Sequence, residues 1–299
     1  MKGLNISAIL PRKEISLEQL KGKKIAIDSY IMLYQFLLTL PKLTDSKGRI
    51  TSHLSGLFYR TTHLMRYGIK PAFVFDGLFP VVGEKYKRII NKPVKARITS
   101  TITEHVVESS KTLIEAIGLP IIQAPTEGEA QAAYMARKGD VWGVASKDFD
   151  CLLFNAPRMI QNLTLAKTRK LPKGGFVYIG IYQCVLKDVL KYLGINHEQF
   201  IAMALLIGTD FNPNGVRDIG PKKALQLVKK EKNLDRLFKK VNWQFDFSWK
   251  EVYELIKNIP VTNRYRLKWK KPNKKRIKKL LVSEYDFSEK RVDSALKRI

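Results

Sequence analysis

Seven carboxylates in this chain fall where an apolar run ends and the backbone turns: Asp28, Asp76, Glu127, Glu129, Asp148, Asp150 and Asp210. Asp28 closes Lys24-Ile-Ala-Ile-Asp, and Asp76 closes Pro71-Ala-Phe-Val-Phe-Asp. Glu127 and Glu129 follow Leu119-Pro-Ile-Ile-Gln-Ala-Pro, while Asp148 and Asp150 follow Val141-Trp-Gly-Val-Ala-Ser. Taken singly, each acid reads as readily as a helix cap or solvated loop carboxylate as it does as a functional group. The two pairs with a spacing of two residues supply more negative charge than capping requires. Carboxylates gathered in one place repel one another and resist ionisation unless cations neutralise them. All-oxygen donors suit Mg²⁺, with Mn²⁺ as its substitute, and two such ions roughly 3.5–4 Å apart clamp both oxygens of an in-line phosphodiester displacement. The chemistry these residues permit is metal-dependent phosphodiester hydrolysis.

Other chemistries find little support. His53, His63, His105 and His197 lie apart with no metal-ligand spacing, which disfavours an imidazole base or a zinc site. Cys151 and Cys184 form no C-x-x-C pattern and are expected in the core. Asp210-Phe-Asn-Pro-Asn-Gly215 opens like a calcium-binding EF-hand loop, but Pro221 stands where a bidentate Glu is required.

The elements that must position the acids alternate between strand and helix. Strands are expected over 24–28, 71–76, 119–125 and 141–146; the first, third and fourth are followed by a helical or turning segment, Tyr30 to Leu40, Ala130 to Lys138 with Thr126 as N-cap, and Lys147 to Asp150. A further helix spans Leu54 to Tyr67. This alternation predicts an α/β fold with a mostly parallel central sheet flanked by helices, whose sites lie beyond the carboxyl ends of the strands. After strands near 158–162 and 176–181 the pattern turns helical: Tyr182 to Leu193, His197 to Ile207, Pro221 to Lys230, Leu234 to Lys239 and Trp249 to Lys257. A basic stretch from Arg264 to Lys279, interleaved with Tyr265, Trp269 and Ile277, precedes a last helix near Glu289 to Arg298. That stretch reads as a duplex or flap contact or as a solvated surface. Residues 77–100 fit neither period and form an irregular basic connection.

The 299 residues include 54 Lys and Arg against 27 Asp and Glu, a net charge of +27, with 45% of residues apolar. Disorder and fibrous repeats are excluded, and a surface so basic implies a polyanionic partner, nucleic acid first. No apolar stretch reaches 18 residues and no leader of charged, apolar and small residues opens the chain. An intracellular protein is expected.

At this point a resemblance enters. Ile27-Asp28, Tyr34-Gln-Phe36, Thr51-Ser-His-Leu54, Phe58-Tyr-Arg-Thr61, Gly68-Ile-Lys-Pro71 and Val74-Phe-Asp-Gly77 resemble motifs of the structure-specific 5′ nucleases, in the archaeal branch of the XPG-like flap endonuclease family. Ala124-Pro-Thr-Glu-Gly-Glu-Ala130, Asp148-Phe-Asp150, Gly208-Thr-Asp210, Ile219-Gly-Pro-Lys-Lys223 and Phe287-Ser-Glu-Lys-Arg-Val extend it over nearly the whole chain. The resemblance implies a PIN-like nuclease core, with Asp28, Asp76, Glu127 and Glu129 around one Mg²⁺ and Asp148, Asp150 and Asp210 holding the second. It implies removal of 5′ flaps one nucleotide into the duplex, with 5′-3′ exonuclease activity, in DNA replication and repair. Tyr34 is similar to the family's base-stacking aromatic, although the residues alone equally allow a core aromatic, and Arg60 joins the DNA-binding set. Asn214 to Lys223 resembles the helix–two-turn–helix element near 208–240, with Gly215 and Gly220 permitting the turn and Lys222 and Lys223 adding charge; on sequence alone a plain helical turn is the other reading. In the family that hairpin also binds K⁺. The implied organisation is 1–100 and 101–210 for the two nuclease regions and 211–299 for the helical DNA-binding region. A monomer acting on branched duplex near the nucleoid is expected, and a sliding clamp is a further partner, though no Gln-x-x-hydrophobic-x-x-aromatic-aromatic tail follows the last helix.

Three departures stand out. The span from Asp76 to Glu127 is markedly shorter than the family's helical arch, with Lys85, Lys87, Arg88, Lys95 and Arg97 as its available cations. Lys2 intervenes between Met1 and Gly3, and Asp218 stands where the hairpin usually has Gly. A non-catalytic junction-binding protein, and a relaxed 5′ nuclease acting on bubbles or four-way junctions, are the alternatives that a reduced arch leaves open.

Overall fold

The computed structural model describes residues 6, 9–77, 89, 102–147, 149–164, 168–170 and 174–299. Its strands are β1 (Lys13–Ile15), β2 (Lys24–Asp28), β3 (Lys70–Phe75), β4 (Ile121–Gln123), β5 (Gly143–Ala145), β6 (Arg158–Gln161), β7 (Thr168–Lys170), β8 (Phe176–Tyr178) and β9 (Ile181–Val185). Seven of them form one sheet in the order β1-β9-β6-β5-β2-β3-β4, and β7 pairs with β8 in a separate antiparallel ribbon. The five strands from β6 to β4 run parallel, and β9 and β1 add an antiparallel edge. The expected fold class is the observed one.

Period-two alternation in the central strands feeds two cores. Ile25 and Ile27 of β2 and Phe73 and Phe75 of β3 face helices Ser29–Thr39, Ser52–Arg66 and Glu104–Ile117. Ala26, Ala72 and Val74 face the other way, against helix Gly128–Arg137. That helix buries Ala130, Ala132, Ala133 and Ala136 in this core, and small residues on helix and strands let backbone approach backbone. Helices Leu186–Leu193, His197–Ile207, Pro221–Lys230 and Trp249–Lys257 enlarge this second core. An irregular stretch over 258–273 then returns the chain to the first face, where the segment from Lys274 to Glu284 and helix Glu289–Leu296 pack.

Two expectations are corrected. Residues 181–185 are not the start of a helix: Tyr182 to Val185 pair with β6, and their β-branched and aromatic side chains suit a pleated surface, so the helix begins only at Leu186. Thr126 does not cap the following helix, which starts at Gly128 with Glu127 in the N-cap position. The Thr126 hydroxyl instead donates to the Pro260 carbonyl, 2.9 Å away. The cations Lys85, Lys87, Arg88, Lys95 and Arg97, like Lys2 and Gly3, lie outside the described residues. Among the described residues no helix is long and apolar enough to cross a membrane.

Candidate active site

The strand order fixes where the acids meet. From β2 the chain moves through β3 to β4 on one side, then returns to place β5 on the other side of β2. At such a reversal the connections leave in opposite directions and open a crevice beyond the carboxyl ends of the strands. A small cleft at the β2–β5 junction is lined by Asp28, Gln35, Ser146, Lys147, Asn162 and Thr164, among others.

Each acid is held by a local device. Asp28, 4% exposed, ends β2 and caps the helix that follows, its Oδ1 accepting from the Ile31 N–H at 3.1 Å. Asp76 follows β3, and its Oδ1 accepts from the Gly128 N–H at 2.7 Å, at the positive end of a helix. A Cβ on Gly128 would lie 2.7 Å from that same oxygen, so only hydrogen leaves room for the carboxylate. The neighbouring Gly77 donates its N–H to the Thr126 carbonyl at 2.7 Å and packs so tightly that a Cβ would strike the carbonyl oxygens of Ala124 and Pro125. Gln123 Nε2 reaches back to the Asp76 carbonyl at 2.5 Å. The turns after β3 and β4 are thereby clasped together, which brings Asp76 beside Glu127 and Glu129.

On the opposite side of β2, Ser146 at the end of β5 donates its hydroxyl to Glu129 Oε1. Gln161 Nε2 donates to the Lys147 carbonyl at 3.0 Å, which steadies the turn that carries Asp150, while Asp148 itself lies outside the described residues. Glu129 and Asp150 are both nearly buried. The thiol of Cys151 registers the convergence: burial first, then the charges of Glu129, Asp150 and Asp28, push its pKa well above the usual thiol value. Tyr30 is raised likewise, by burial and then by Asp76 and Glu108. Half-buried Asp210 begins the turn after helix His197–Ile207, and the adjoining Phe211 packs edge to face on Phe154, 6.4 Å between centroids, beyond the short helix that Asp150 opens. Within that turn Asn212 Oδ1 accepts from the Thr209 N–H and hydroxyl, and Asn212 Nδ2 donates to the Leu205 carbonyl, so the EF-hand-like residues serve the turn itself.

The donor set is hard carboxylate oxygen, with no histidine beside it, which is the chemistry that Mg²⁺ or Mn²⁺ prefers. Among the described residues no three of these groups close on a single point as a finished metal cage. Asp148 and Asp150, the pair expected to complete the set, straddle the boundary of the described residues.

The expected DNA-contact residues fall on three different elements. Tyr34 is half-buried on the first helix, its ring partly packed on the first core. Arg60 is half-buried on helix Ser52–Arg66, and burial lowers the pKa of its guanidinium. The hairpin places Gly215 at φ 57°, where a Cβ would strike Ile207 and the Leu206 carbonyl, and the Val216 N–H closes it onto that carbonyl at 2.8 Å. Gly220 is the N-cap of the helix that begins at Pro221, and Lys222 and Lys223 are exposed on its first turn. Residues that sequence reasoning missed are Ser146, Gln123 and Gln161; the only signal available was a hydrogen-bonding side chain at the carboxyl end of a strand.

Residues 2–91 match the family model for the XPG N-terminal domain, and residues 118–210 match the XPG I-region. Flap endonuclease 1 of Pyrococcus horikoshii is 47% identical, and that of Pyrococcus furiosus 46%, each alignment covering 99% of this chain and 94% of the relative. The former alignment runs over 325 positions, more than the 299 residues of this chain, so the relative carries residues that have no counterpart here. The solved structure of flap endonuclease-1 from Methanococcus jannaschii superposes with a TM-score of 0.85 at 37% identity, over 99% of this chain and 97% of that one. The catalytic core of Rad2 in complex with DNA substrate gives 0.75 at 25% identity, over 96% of each chain.

Proposed function

The chain belongs to the flap endonuclease family of XPG-type nucleases, and we propose that it acts on branched DNA through seven carboxylates, Asp28, Asp76, Glu127, Glu129, Asp148, Asp150 and Asp210. It is a structure-specific flap endonuclease, a phosphodiester hydrolase of DNA replication and repair. Asp28, Asp76, Glu127 and Glu129 would hold one Mg²⁺, and Asp148, Asp150 and Asp210 the second. Ions held there would supply an activated water and positive charge to offset that on the phosphate and the leaving 3′ oxygen. The residues of the chain supply the setting for that chemistry. Asp76 and Glu129 are fixed by the Gly128 N–H and the Ser146 hydroxyl, which limits the reorganisation needed when ligands arrive. Tyr34 offers a π-face to a base beside the scissile phosphate, and Arg60 adds charge for the duplex. The turn at Gly215 and Gly220, with Lys222 and Lys223, takes the phosphates of the downstream duplex without reading sequence and provides the carbonyls for K⁺.

The residues missing relative to the relatives we assign to the segment between Asp76 and Glu127, the reduced arch. The substrate is then a branched duplex with a 5′ flap, bound by a monomer associated with the nucleoid, with a sliding clamp as a further partner. The observation that carries this reading is the hydrogen-bonded clasp that joins Asp76 to the turn bearing Glu127 and Glu129 at the crevice where the sheet order reverses.

The test is incision of a labelled double-flap DNA, with Mg²⁺ and with EDTA, beside single-strand, plain-duplex and 5′-blocked controls. Metal-dependent cutting at the flap base is the expected result, and Asp148→Asn should abolish it while leaving DNA binding intact. Tight binding without incision in Mg²⁺ would instead identify a junction-binding protein.

A further inference from the structure

The chain between helix Trp249–Lys257 and Lys274 runs as a strap without regular structure, and its first residues are bonded to the turn that carries two of the acids. The Thr126 hydroxyl, in a side chain 0% exposed, donates to the Pro260 carbonyl at 2.9 Å. Gln131, also 0% exposed, pairs with the Thr262 backbone in both directions: its Oε1 accepts from the Thr262 N–H at 2.8 Å and its Nε2 donates to the Thr262 carbonyl at 2.9 Å. These two residues bracket Glu127 and Glu129 in sequence. Thr126 also accepts the Gly77 N–H, so the strap, the Asp76–Gly77 turn and the start of helix Gly128–Arg137 meet at one residue.

The other end of the strap is fastened to different elements. Trp269 Nε1 donates to the Pro71 carbonyl at 2.7 Å, at the amino end of β3. The Lys270 N–H reaches the Gly118 carbonyl and the Asn273 N–H the Ala116 carbonyl, each at 2.8 Å. In between, the Tyr265 hydroxyl bonds Asp140, which Lys138 pairs at 3.5 Å. A segment held at both ends acts as a fixed post against which the turn is braced, because buried polar groups with a single geometry for all their bonds have no alternative arrangement.

We propose that Thr126 and Gln131 are positioning residues for the metal site, through which the strap over 260–262 fixes where Glu127 and Glu129 stand. This rests on the reading that those glutamates hold Mg²⁺. The bonds contribute nothing to the chemistry directly; they hold the two carboxylates in place before the ion binds.

The experiment uses Thr126→Val and Gln131→Leu, which keep side-chain volume and remove the bonds, with Val189→Ala as a control that opens a cavity in the second core away from the turn. Calorimetric Mn²⁺ binding and the Mg²⁺-induced rise in melting temperature are read without DNA, and half-saturating Mg²⁺ is read for incision. Thr126→Val and Gln131→Leu are expected to weaken Mn²⁺ binding and raise half-saturating Mg²⁺ by about tenfold, with duplex affinity in EDTA unchanged. Val189→Ala is expected to lower the melting temperature and leave the metal dependence alone, and Thr126→Ser, which keeps the hydroxyl, should behave as wild type. Wild-type metal dependence in Thr126→Val and Gln131→Leu, an equal shift in Val189→Ala, or a tenfold shift in Thr126→Ser would each overturn the proposal. Absence of incision by the wild-type chain would count against the nuclease reading instead, and the Mn²⁺ comparison would still decide the positioning question.

Discussion

Gly128 shows how much the candidate site asks of single atoms. Its amide holds Asp76 at 2.7 Å while its missing side chain leaves the space that the carboxylate fills. Gly128→Ala should push Asp76 away at a cost of about 1–3 kcal/mol in stability, the usual range for overpacking a tight contact. Incision should fall by at least about tenfold, and a variant with wild-type melting temperature and wild-type rate would contradict the clasp. A second residue-scale prediction concerns His53, which is fully buried against Ser109. The Ser109 hydroxyl donates to the His105 carbonyl at 2.6 Å, so its oxygen accepts from His53 Nε2–H and leaves Nδ1 unprotonated, with no partner among the described residues. Burial, with a smaller contribution from His105, lowers the His53 pKa from 6.5 to about 4. Because the folded pKa is depressed, the unfolded chain binds the proton more tightly between those values. Stability is therefore intact above about pH 6.5 and declines as pH falls towards 4, by roughly 3 kcal/mol for this group. Melting temperature against pH should show the decline, and His53→Gln should flatten that part of the curve; an unchanged slope would remove His53 as its cause.

At the scale of elements, the hairpin between helices His197–Ile207 and Pro221–Lys230 carries a testable oddity. Asp218 adopts φ 61°, a left-handed conformation that glycine takes more easily; its side chain is exposed and its backbone carbonyl accepts from Lys223 Nζ at 3.2 Å. Its pairing with Arg217 at 3.7 Å is between two highly exposed side chains and contributes little. Asp218→Gly should leave the melting temperature nearly unchanged, since relief of the backbone offsets the added freedom of the unfolded chain. It should tighten duplex binding roughly threefold at low salt, as expected for removing one exposed charge of the wrong sign. Weaker binding would mean that the acid itself contacts the DNA side of the hairpin. The turn was legible as glycine-rich with a proline-started helix, as were β2 and β3, because alternating apolar residues end there in an acid. The antiparallel edge was not. β1 is three residues long, and the apolar spacing of Tyr182 to Val185 suits the start of a helix as well as a strand. The strap was illegible for a different reason: its bonds join side chains to backbone groups more than a hundred residues away, and no local pattern encodes such a pairing. Tyr265 and Trp269, in a basic run that read as a duplex or flap contact or as a solvated surface, place their polar atoms on Asp140 and Pro71. Asp76, Glu127 and Glu129 were legible as acids at the turns after strands, yet what holds them there, Ser146, Gly128 and the Thr126 carbonyl, emerges only once the strands are side by side.

For the whole molecule the decisive quantity is charge, and its arrangement is uneven. A chain with net charge +27 places several of its few acids at one crevice, so on the proposed reading the surface that meets DNA would be basic and the pocket that meets the scissile phosphate acidic. Long-range attraction would then bring the duplex in without reading sequence, while an acidic crevice would admit a phosphate only in company with divalent cations. The two effects separate experimentally. In EDTA, binding of a flap duplex reports the basic surface alone, and counterion release makes log K fall linearly with log salt, by about 0.9 for each phosphate neutralised. Contacts to six or more phosphates would weaken binding by about a thousandfold between 50 and 200 mM KCl. Fluorescence anisotropy over that range should give this slope, and it should be the same for plain duplex and flap duplex if the surface binds backbone. A flat response would mean that affinity resides in the crevice or in stacking rather than in the surface charge. Repeating the series with Ca²⁺ or Mg²⁺ on Asp150→Asn then isolates the acidic pocket. Divalent ions should add affinity to the wild-type chain beyond what matched ionic strength explains, and the substitution should remove that increment while leaving the salt slope unchanged.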